Sequence, residues 1–252
     1  MNDIRHPAAR RIAAPRIAPA VWQSWLGRHV RVCREPLLDP SRRLVVIAPH
    51  PDDEVLACAL LMQQHAACGG ALHLVAVTDG EASHGETGQG VRWLARLRDS
   101  ERCAGLARLH LLHMPITRLH LPDGGVAQAG SRLHAALQQL LRPGDTLLTT
   151  WRLDGHPDHE CCGRVAADLA WRLGLELLQA PVWMWHWASP GAPGIPWQRL
   201  CALPATRQAV RAKIAALRAH HSQWLPRSPQ LPPVLDDAII ERAHWQHEYF
   251  FV

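Results

Sequence analysis

Short, wholly apolar segments that alternate with longer helical patterns restrict the fold more than any other feature of this sequence. Leu44–Ala48 is an apolar run of five residues, which is typical of a strand buried on both faces of a sheet. Pro49 and Pro51 end this run, a helical pattern follows over residues 54–68, and a glycine pair ends the helix. The same cycle recurs along the chain. Because strands that alternate with helices form parallel sheets, we expect an α/β fold with helices on both faces of the sheet.

The remaining predicted elements follow the same alternation. Strands are predicted over residues 72–77, 111–114, 145–151 and 175–187, and helices over residues 91–109, 132–141, 160–173 and 206–220. Residues 1–40 are rich in proline, arginine and alanine and predict a loosely held N-terminal arm with one short helix over 20–26. Residues 41–252 predict a single domain, in which the proline-rich segment 222–234 forms a surface loop.

Composition and charge exclude several classes of protein. The chain has 252 residues, of which 48% are hydrophobic and 19% are charged, and this balance is typical of a globular protein. No apolar run approaches the roughly 20 residues that cross a bilayer, so we expect no transmembrane segment. The first 20 residues lack the apolar core of a secretory signal, which favours a cytoplasmic location.

The net charge of +5 comes from scattered arginines rather than from a basic stripe, so we expect no nucleic-acid partner. The seven cysteines include no C-x-x-C pair and predict reduced thiols.

The strand at Leu44–Ala48 ends in a group of ionisable side chains. This group consists of His50, Asp52, Asp53 and Glu54. Adjacent carboxylates repel each other unless a cation or hydrogen bonds offset their charge, and histidine nitrogen and aspartate oxygen are zinc ligands. An acidic helix N-terminus would explain the three carboxylates. It does not explain a histidine between two prolines, so we interpret the group as a candidate metal or catalytic site.

Two further predicted strands end in polar loops. A histidine–aspartate–histidine group follows the strand at 145–151, and a loop with glycines follows the strand at 72–77. Their side chains are His156, Asp158 and His159 in the first loop and Glu81, Ser83 and His84 in the second. Alone, the first group predicts only a capped helix start, and the second only a flexible loop. Ligands bind beyond the carboxyl ends of strands in open α/β sheets, so we expect the loops to meet if their strands are neighbours.

Taken in order, these motifs resemble those of the PIG-L/LmbE-like zinc-dependent de-N-acetylases. The resemblance covers residues 44–224, most of the chain. The motifs that carry it are residues 50–54 (HPDDE), 78–84 (TDGEASH), Arg98 with Glu101, 121–124 (LPDG), 156–159 (HPDH), and Lys213 with His220, Ser222 and Gln223. Each motif is weak alone, whereas the two histidine motifs in this order are specific. The residues of the last motif are expected to support the architecture near the site.

The resemblance implies a Rossmann-like, mostly parallel α/β fold and a hydrolase that removes N-acetyl, or other N-acyl, groups from amino sugars such as N-acetylglucosamine or from their glycoconjugates. It implies one Zn²⁺ per chain, although the same ligands accept other divalent ions. The implied zinc ligands are His50, Asp53 and His159, a set that leaves a coordination position open for water. The implied catalytic residues are Asp52 as general base and His156, oriented by Asp158, as the charged acid partner. The expected substrate contacts are Glu81, Ser83, His84 and Arg98.

One position departs from the pattern of this family. Some relatives carry a tyrosine two residues before the first histidine of the second motif, where it helps to hold the oxyanion. Here that position is Asp154, and the only tyrosine of the chain is Tyr249. We therefore expect oxyanion stabilisation to come from another group or to be smaller.

Three tryptophans provide a weaker indication of the substrate. Trp183, Trp185 and Trp187 alternate, so in a strand their side chains face the same side. Core packing is the favoured interpretation because tryptophan is largely buried in most proteins. Stacking on a sugar, contact with an acyl chain and contact within a homo-oligomer are the alternatives.

Two other functions remain open at this point. The same scaffold and metal could add water to an unsaturated acid, which would make the protein a hydratase. Alternatively, it could bind a carbohydrate without turnover. Asp52 argues against binding alone, because a binding module needs no second carboxylate beside its ligand carboxylate. In each case the partner is a small molecule or a glycoconjugate.

Overall fold

The computed structural model describes residues 4, 10, 12–33, 37–85, 87–227 and 229–252. Within these residues the chain forms one sheet of eight strands. The strands are β1 (Arg31–Val32), β2 (Leu44–Ala48), β3 (Leu72–Ala76), β4 (Ile116–Arg118), β5 (Thr146–Thr150), β6 (Glu176–Ala180), β7 (Leu200–Pro204) and β8 (His247–Phe251). Their order across the sheet is β1-β7-β8-β6-β5-β2-β3-β4. Neighbouring strands are parallel except where β8 pairs with β6 and β7, so the predicted mostly parallel sheet is confirmed.

Nine α-helices occur in the described part of the chain. They are α1 (Pro19–His29), α2 (Asp53–Ala67), α3 (Gln89–Arg108), α4 (Gly130–Leu140), α5 (Pro157–Leu173), α6 (Met184–Trp187), α7 (Arg207–Arg218), α8 (His221–Trp224) and α9 (Asp237–Ala243). A short 3₁₀ turn covers Trp197–Arg199. No helix among the described residues has both the length and the apolar character needed to cross a membrane.

The side chains of β2 show that the sheet has helices on both faces. Leu44, Val46 and Ala48 pack in one core with residues of α2, α3 and α7. Val45 and Ile47 pack in a second core with residues of α4 and α5. Because side chains alternate along a strand, these two cores lie on opposite faces of the sheet. All five residues of β2 are buried, which explains why this strand is a continuous apolar run.

The pairing of β2 with β5 positions the two histidine motifs. The strands are parallel neighbours, with Leu44 opposite Thr146 and Ile47 opposite Thr149. Their carboxyl ends therefore lie side by side at one edge of the sheet. The loops that leave these ends lead to α2 and α5, which begin with the two motifs. This adjacency satisfies the condition under which the sequence predicts one site.

Two predicted strands differ from the structure. Residues 111–114 form a turn, and the strand lies at Ile116–Arg118. The strand predicted over 175–187 ends at Ala180, and the tryptophans follow it in a one-turn helix. The alternation of the tryptophans is therefore not a strand pattern. Trp185 and Trp187 are core residues, in accordance with the favoured interpretation, whereas Trp183 is half-buried.

Sequence reasoning also missed three C-terminal elements, namely β7, α9 and β8. The segment predicted as a surface loop, 222–234, begins within α8 and is otherwise largely irregular. The strand β8 is antiparallel to both of its neighbours. It escapes a pattern based on strand–helix alternation because that pattern predicts parallel strands, whereas β8 is antiparallel to β7 although α7, α8 and α9 separate them.

The predicted N-terminal arm, 1–40, lies partly outside the described residues, which omit 1–3, 5–9, 11 and 34–36. The described parts of this segment are held by core contacts. Trp22 and Leu26 of α1 are buried in a tryptophan-rich core, and the buried Arg10 guanidinium donates to both carboxylate oxygens of Glu160 at 2.7 and 2.9 Å. The division of the chain at residue 40 stays a prediction.

The only lysine of the chain, Lys213, joins α7 to β8 and α2. Its ammonium group lies 2.7 Å from Oε1 of Glu248, and both residues are buried. The Glu248 carboxylate also accepts hydrogen bonds from the backbone N–H groups of Leu60 and Leu61. Burial raises the pKa of Glu248, although Lys213 opposes this effect. Lys213 therefore supports the architecture, as expected from the sequence.

We expect Lys213→Met to lower the free energy of unfolding by about 3 kcal/mol or more, because the variant leaves a buried carboxylate without its cation. Chemical denaturation at pH 7 measures this change. The double variant Lys213→Met/Glu248→Gln removes both charges and should lose less stability than the single variant. A loss below about 1 kcal/mol in Lys213→Met would contradict the role of this ion pair.

Candidate active site

Three side-chain atoms from the two histidine motifs form a compact triangle at the carboxyl ends of β2 and β5. Nδ1 of His50 lies 3.2 Å from Oδ2 of Asp53, and Nε2 of His159 lies 3.2 Å from the same oxygen. The two nitrogen atoms are also 3.2 Å apart. The structure thus brings together the three residues that the resemblance to the PIG-L/LmbE-like family implies as metal ligands.

Local sequence explains how these side chains reach the triangle. Asp53 is the first residue of α2, and its Oδ2 also accepts from the backbone N–H of His50 at 2.9 Å. In the second motif, Pro157 occupies the first turn of α5 and His156 caps the helix by accepting from the N–H of Asp158. Proline at this position is favourable because its fixed φ suits a helix start. His159 therefore projects from the first turn of α5 and is fully buried.

Carboxylates behind the two imidazoles fix their orientation. Nδ1 of His159 lies 2.9 Å from Oδ2 of Asp154, and Nε2 of His50 lies 3.1 Å from Oδ2 of Asp158 and 3.2 Å from Oδ1 of Asp123. A neutral imidazole that donates to a carboxylate through one nitrogen keeps a lone pair on the other. In both histidines that other nitrogen is the one in the triangle.

Charge around the triangle favours a bound cation. Burial would lower the pKa of His159, but the charges of Asp53 and Asp154 outweigh it and raise that pKa to about 9. Burial likewise opposes a low pKa at Asp53, yet His159 and His50 hold this pKa well below its usual range. The carboxylates thus draw positive charge to this point of the structure.

The triangle fits zinc. Zinc bonds of about 2.0–2.1 Å in a tetrahedral site correspond to ligand separations of about 3.3 Å, and the three separations in the structure are each 3.2 Å. Two further groups that share His50 also have metal-binding side chains close together, one formed with Asp123 and Asp158 and the other with His156 and His159. The triangle is the stronger candidate, because two imidazole nitrogens with one carboxylate oxygen form a common ligand set of catalytic zinc. We therefore place the candidate metal position at the triangle.

Asp52 lies beside the triangle without being part of it. It is buried and its backbone has a φ of 147°, a conformation that is costly for a residue other than glycine and is typical of functional sites. The guanidinium of Arg98 donates to its Oδ2 at 3.2 Å and to the backbone oxygen of Pro51 at 2.9 Å. Burial raises the pKa of Asp52 to about 7, against the lowering effect of Arg98.

His156 borders the same space, but its surroundings differ from those that the resemblance implies. Its ring centroid is 4.8 Å from that of His50 and 4.9 Å from that of His159. Burial, together with the neighbouring His159 and His50, lowers the pKa of His156 to about 3, which corresponds to a neutral ring rather than to the charged partner. Asp158 contacts it through its backbone N–H. The Asp158 carboxylate instead binds His50 and the backbone of Gly124 and Val126, so it does not orient His156 as expected.

The triangle opens into a pocket with a volume of about 380 Å³, which lies within the usual range for small-molecule sites. Of the expected substrate contacts, Ser83 and Arg98 line this pocket, whereas Glu81 and His84 lie outside its lining. The Glu81 carboxylate accepts from the backbone N–H of Asp123 at 3.0 Å. His84 contacts the hydroxyl of Ser83. These two residues therefore shape the loop rather than face the pocket.

Several residues of the site had no role assigned from the sequence. Asp123 and Asp154 support the two histidines from behind, and Trp183 and Arg227 line the pocket. Asp123 belongs to the motif at 121–124, and Asp154 occupies the position that departs from the family, so both had a signal in the sequence. Trp183 was recognised only as one of three alternating tryptophans, for which core packing was the favoured interpretation. Arg227 had no signal, because its approach to the site depends on the path of the C-terminal half.

Comparison with known proteins gives one family match and several structural similarities. The model of a family described as PIG-L, GlcNAc-PI de-N-acetylase, matches residues 45–170, half of the chain. A comparison with curated proteins gives no match.

The solved structures share the fold at low sequence identity. A conserved protein from Thermus thermophilus is 23% identical, with a TM-score of 0.58 over 83% of this chain and 93% of that chain. N,N'-diacetylchitobiose deacetylase from Pyrococcus horikoshii is 19% identical, with a TM-score of 0.50 over 79% and 73%. A deacetylase of teicoplanin biosynthesis is 15% identical, with a TM-score of 0.62 over 83% and 96%. These similarities show that the fold is shared.

We expect Asp154→Asn to weaken zinc binding by about 10- to 100-fold, because the amide cannot accept from His159 as the carboxylate does, and partners behind a metal ligand commonly contribute this much. Competition with a chromophoric chelator measures the affinity.

Asp236→Asn is the matched control, since Asp236 pairs with His186 at 2.9 Å, away from the triangle. This variant should bind zinc as the unaltered protein does. Unchanged affinity in Asp154→Asn would show that Asp154 does not orient a metal ligand.

Proposed function

The chain belongs to the PIG-L family, and on this premise we propose that it is a zinc-dependent hydrolase that removes the N-acetyl group from an amino sugar or an amino-sugar glycoconjugate. The observation that carries the proposal is the donor triangle of His50, Asp53 and His159, which opens into a pocket that also contains Asp52 and His156. This combination supports a metal-dependent hydrolase, because three possible ligands, a second carboxylate and a third imidazole surround one small space.

We assign the metal to these three ligands. When bound there, a zinc ion supplies a polarised water of lowered pKa and a Lewis acid for the amide carbonyl. The chain itself leaves one side of the triangle open toward the pocket, which is the arrangement expected of a catalytic rather than a structural site. Other divalent ions are compatible with the same donors.

Asp52 is the proposed general base. It is the buried carboxylate that lines the pocket without a place in the triangle, and Arg98 holds its position from behind. Asp52 accepts a proton from the attacking water while the water oxygen bonds to the amide carbon. The same carboxyl then returns the proton to the amide nitrogen as the carbon–nitrogen bond breaks. The products are a carboxylic acid and an amine, which become a carboxylate and an ammonium group when the second water proton passes from the acid to the amine.

His156 is the proposed donor to the oxyanion. Its Nδ1 accepts from the backbone N–H of Asp158, which leaves the proton of the neutral ring on Nε2. A preorganised N–H aimed at developing negative charge stabilises the transition state. In this proposal His156 takes over part of the role of the tyrosine of some relatives. Asp154, at the position of that tyrosine, does not contribute, because it is turned away from the pocket toward His159 and the backbone of residues 182–184.

The proposed substrate class follows from the pocket and the relatives together. The names of two structurally similar proteins refer to deacetylation of N,N'-diacetylchitobiose and of a teicoplanin pathway compound. The pocket of about 380 Å³ has polar residues suited to sugar hydroxyl groups, such as Ser83, Asp123 and Arg98. Derivatives of N-acetylglucosamine are therefore the first substrates to test. Release of acetate, rather than hydration of an unsaturated acid, separates this function from a hydratase.

We expect Asp52→Asn to reduce kcat/KM for an N-acetylated amino sugar by about 100-fold or more, because the amide cannot take a proton from the water. The measurement is acetate release by zinc-loaded protein. The zinc content should not change, since all three ligands remain.

Asp168→Asn provides the control, because Asp168 pairs with His134 and Arg172 on the surface of α5. It should leave activity unchanged. Full activity in Asp52→Asn would refute the general-base assignment, and loss of zinc in this variant would show that Asp52 is a ligand instead.

A further inference from the structure

We propose that the apolar end of the active-site pocket is an acyl subsite, which accepts N-acyl chains longer than acetyl. Its walls are Leu56, Trp183, Val234 and Leu235. This inference rests on the proposed function and adds to it the orientation of the substrate and the class of acyl group.

The order of strands defines the two ends of the pocket. Across the sheet, β6, β5, β2, β3 and β4 are consecutive. The loops after β5 and β2 carry the donor triangle, which therefore lies in the middle. Trp183 follows β6 on one side, whereas Ser83 and Asp123 follow β3 and β4 on the other. Along the edge of the sheet the pocket thus runs from an aromatic end, past the metal position, to a polar end.

The apolar end consists mainly of apolar side chains, although Gln223 also lines the pocket and its backbone oxygen accepts from the N–H of Leu235. Leu235 is buried in the core that also contains Val182, and Leu56 and Trp183 pack against this same core. Leu56 lies one helical turn after the ligand Asp53 on α2. Val234 is half-buried beside Leu235. Apolar side chains therefore begin directly next to the triangle.

Trp183 is held firmly at this end. Its backbone N–H donates to the carboxylate of Asp154 at 3.0 Å, and this carboxylate also holds the ligand His159. The indole ring lies 5.0 Å from the ring of His186 between centroids. The position of the indole is therefore fixed relative to the triangle, as a wall that recognises a substrate requires.

The polar end has the opposite character. Ser83, Arg98 and Asp123 line it. Arg227 lies between the two ends, since it donates to the backbone oxygens of Ser83 and of Pro232, two residues before Val234. Hydroxyl groups of a sugar find donors and acceptors here, whereas a hydrocarbon chain would leave these groups without partners.

These two ends determine how an amide lies across the metal position. The carbonyl carbon must be near the triangle, so the acyl chain and the amine point in opposite directions along the pocket. The amino sugar fits the polar end, which directs the acyl chain to Leu56, Trp183 and Leu235. An acetyl group has one methyl group to place against this wall. Longer chains bury more apolar surface there and so bind the transition state more tightly.

The test compares N-acetyl-, N-butanoyl- and N-hexanoyl-glucosamine as substrates of the zinc-loaded protein, with the released glucosamine as the measured product. We expect kcat/KM to rise about fourfold for each added methylene, at least as far as butanoyl. A fall in kcat/KM from acetyl to butanoyl would overturn the acyl subsite.

Two variants locate the effect. Trp183→Ala should reduce the butanoyl-to-acetyl ratio of kcat/KM toward one because it removes the largest apolar surface of the wall. Val234→Trp should also lower this ratio because it fills the same space. The ratio is measured within each variant, so a general loss of activity does not affect it.

Trp171→Ala, at an indole that is 82% exposed on α5, is the control and should keep the ratio. An unchanged ratio in both Trp183→Ala and Val234→Trp would assign the acyl preference elsewhere and overturn the proposal.

Failure of the subsite and failure of the proposed function have different signatures. Cleavage of the acetyl substrate with rejection of longer chains refutes the subsite and leaves the function intact. If no amide is cleaved, the proposed function fails, and the binding of free carboxylates then tests the subsite alone. Hexanoate should bind the zinc-loaded protein more tightly than acetate, and Trp183→Ala should remove the difference. Equal affinities in the unaltered protein would refute the subsite.

Discussion

The pairing of β2 with β5 is the constraint on which the rest of the site depends. Their parallel register ends both strands at the same edge of the sheet, and each strand leads at once into a helix that begins with a histidine motif. No long loop has to be ordered to bring these motifs together. As a consequence, atoms of His50, Asp53 and His159 lie 3.2 Å from one another although the histidines are 109 residues apart in the chain.

Buried carboxylates make this arrangement stable only with a counter-charge. Asp53 is part of the triangle, and Asp154 and Asp158 lie behind the two histidines. Without a cation, the histidines themselves are drawn toward their charged forms, as the raised pKa of His159 shows. Asp154 has a second role, because it also accepts from the N–H groups of residues 182–184. The donor triangle and the backbone of Trp183 are therefore joined through one carboxylate.

The sequence predicted the elements that local patterns determine. The apolar strands β2 and β5 and the helices α2 and α5 lie where their patterns place them, because burial on both faces and a capped helix start leave clear signals. The strand β4 and the antiparallel β8 were missed, since the first is only three residues long and the second is antiparallel where strand–helix alternation predicts a parallel strand. The motifs also predicted that His50, Asp53 and His159 come close together. They could not predict that the Asp158 carboxylate turns to His50, or that Trp183 borders the pocket, because both depend on contacts between distant segments.

X-ray absorption at the zinc edge of metal-loaded protein tests the central claim most directly, because it reports the ligand atoms around the ion. The donor triangle predicts two imidazole nitrogens, with the remaining positions filled by carboxylate and solvent oxygen, at about 2.0–2.1 Å. Sulfur at about 2.3 Å, or a third imidazole in place of the carboxylate, would contradict the account.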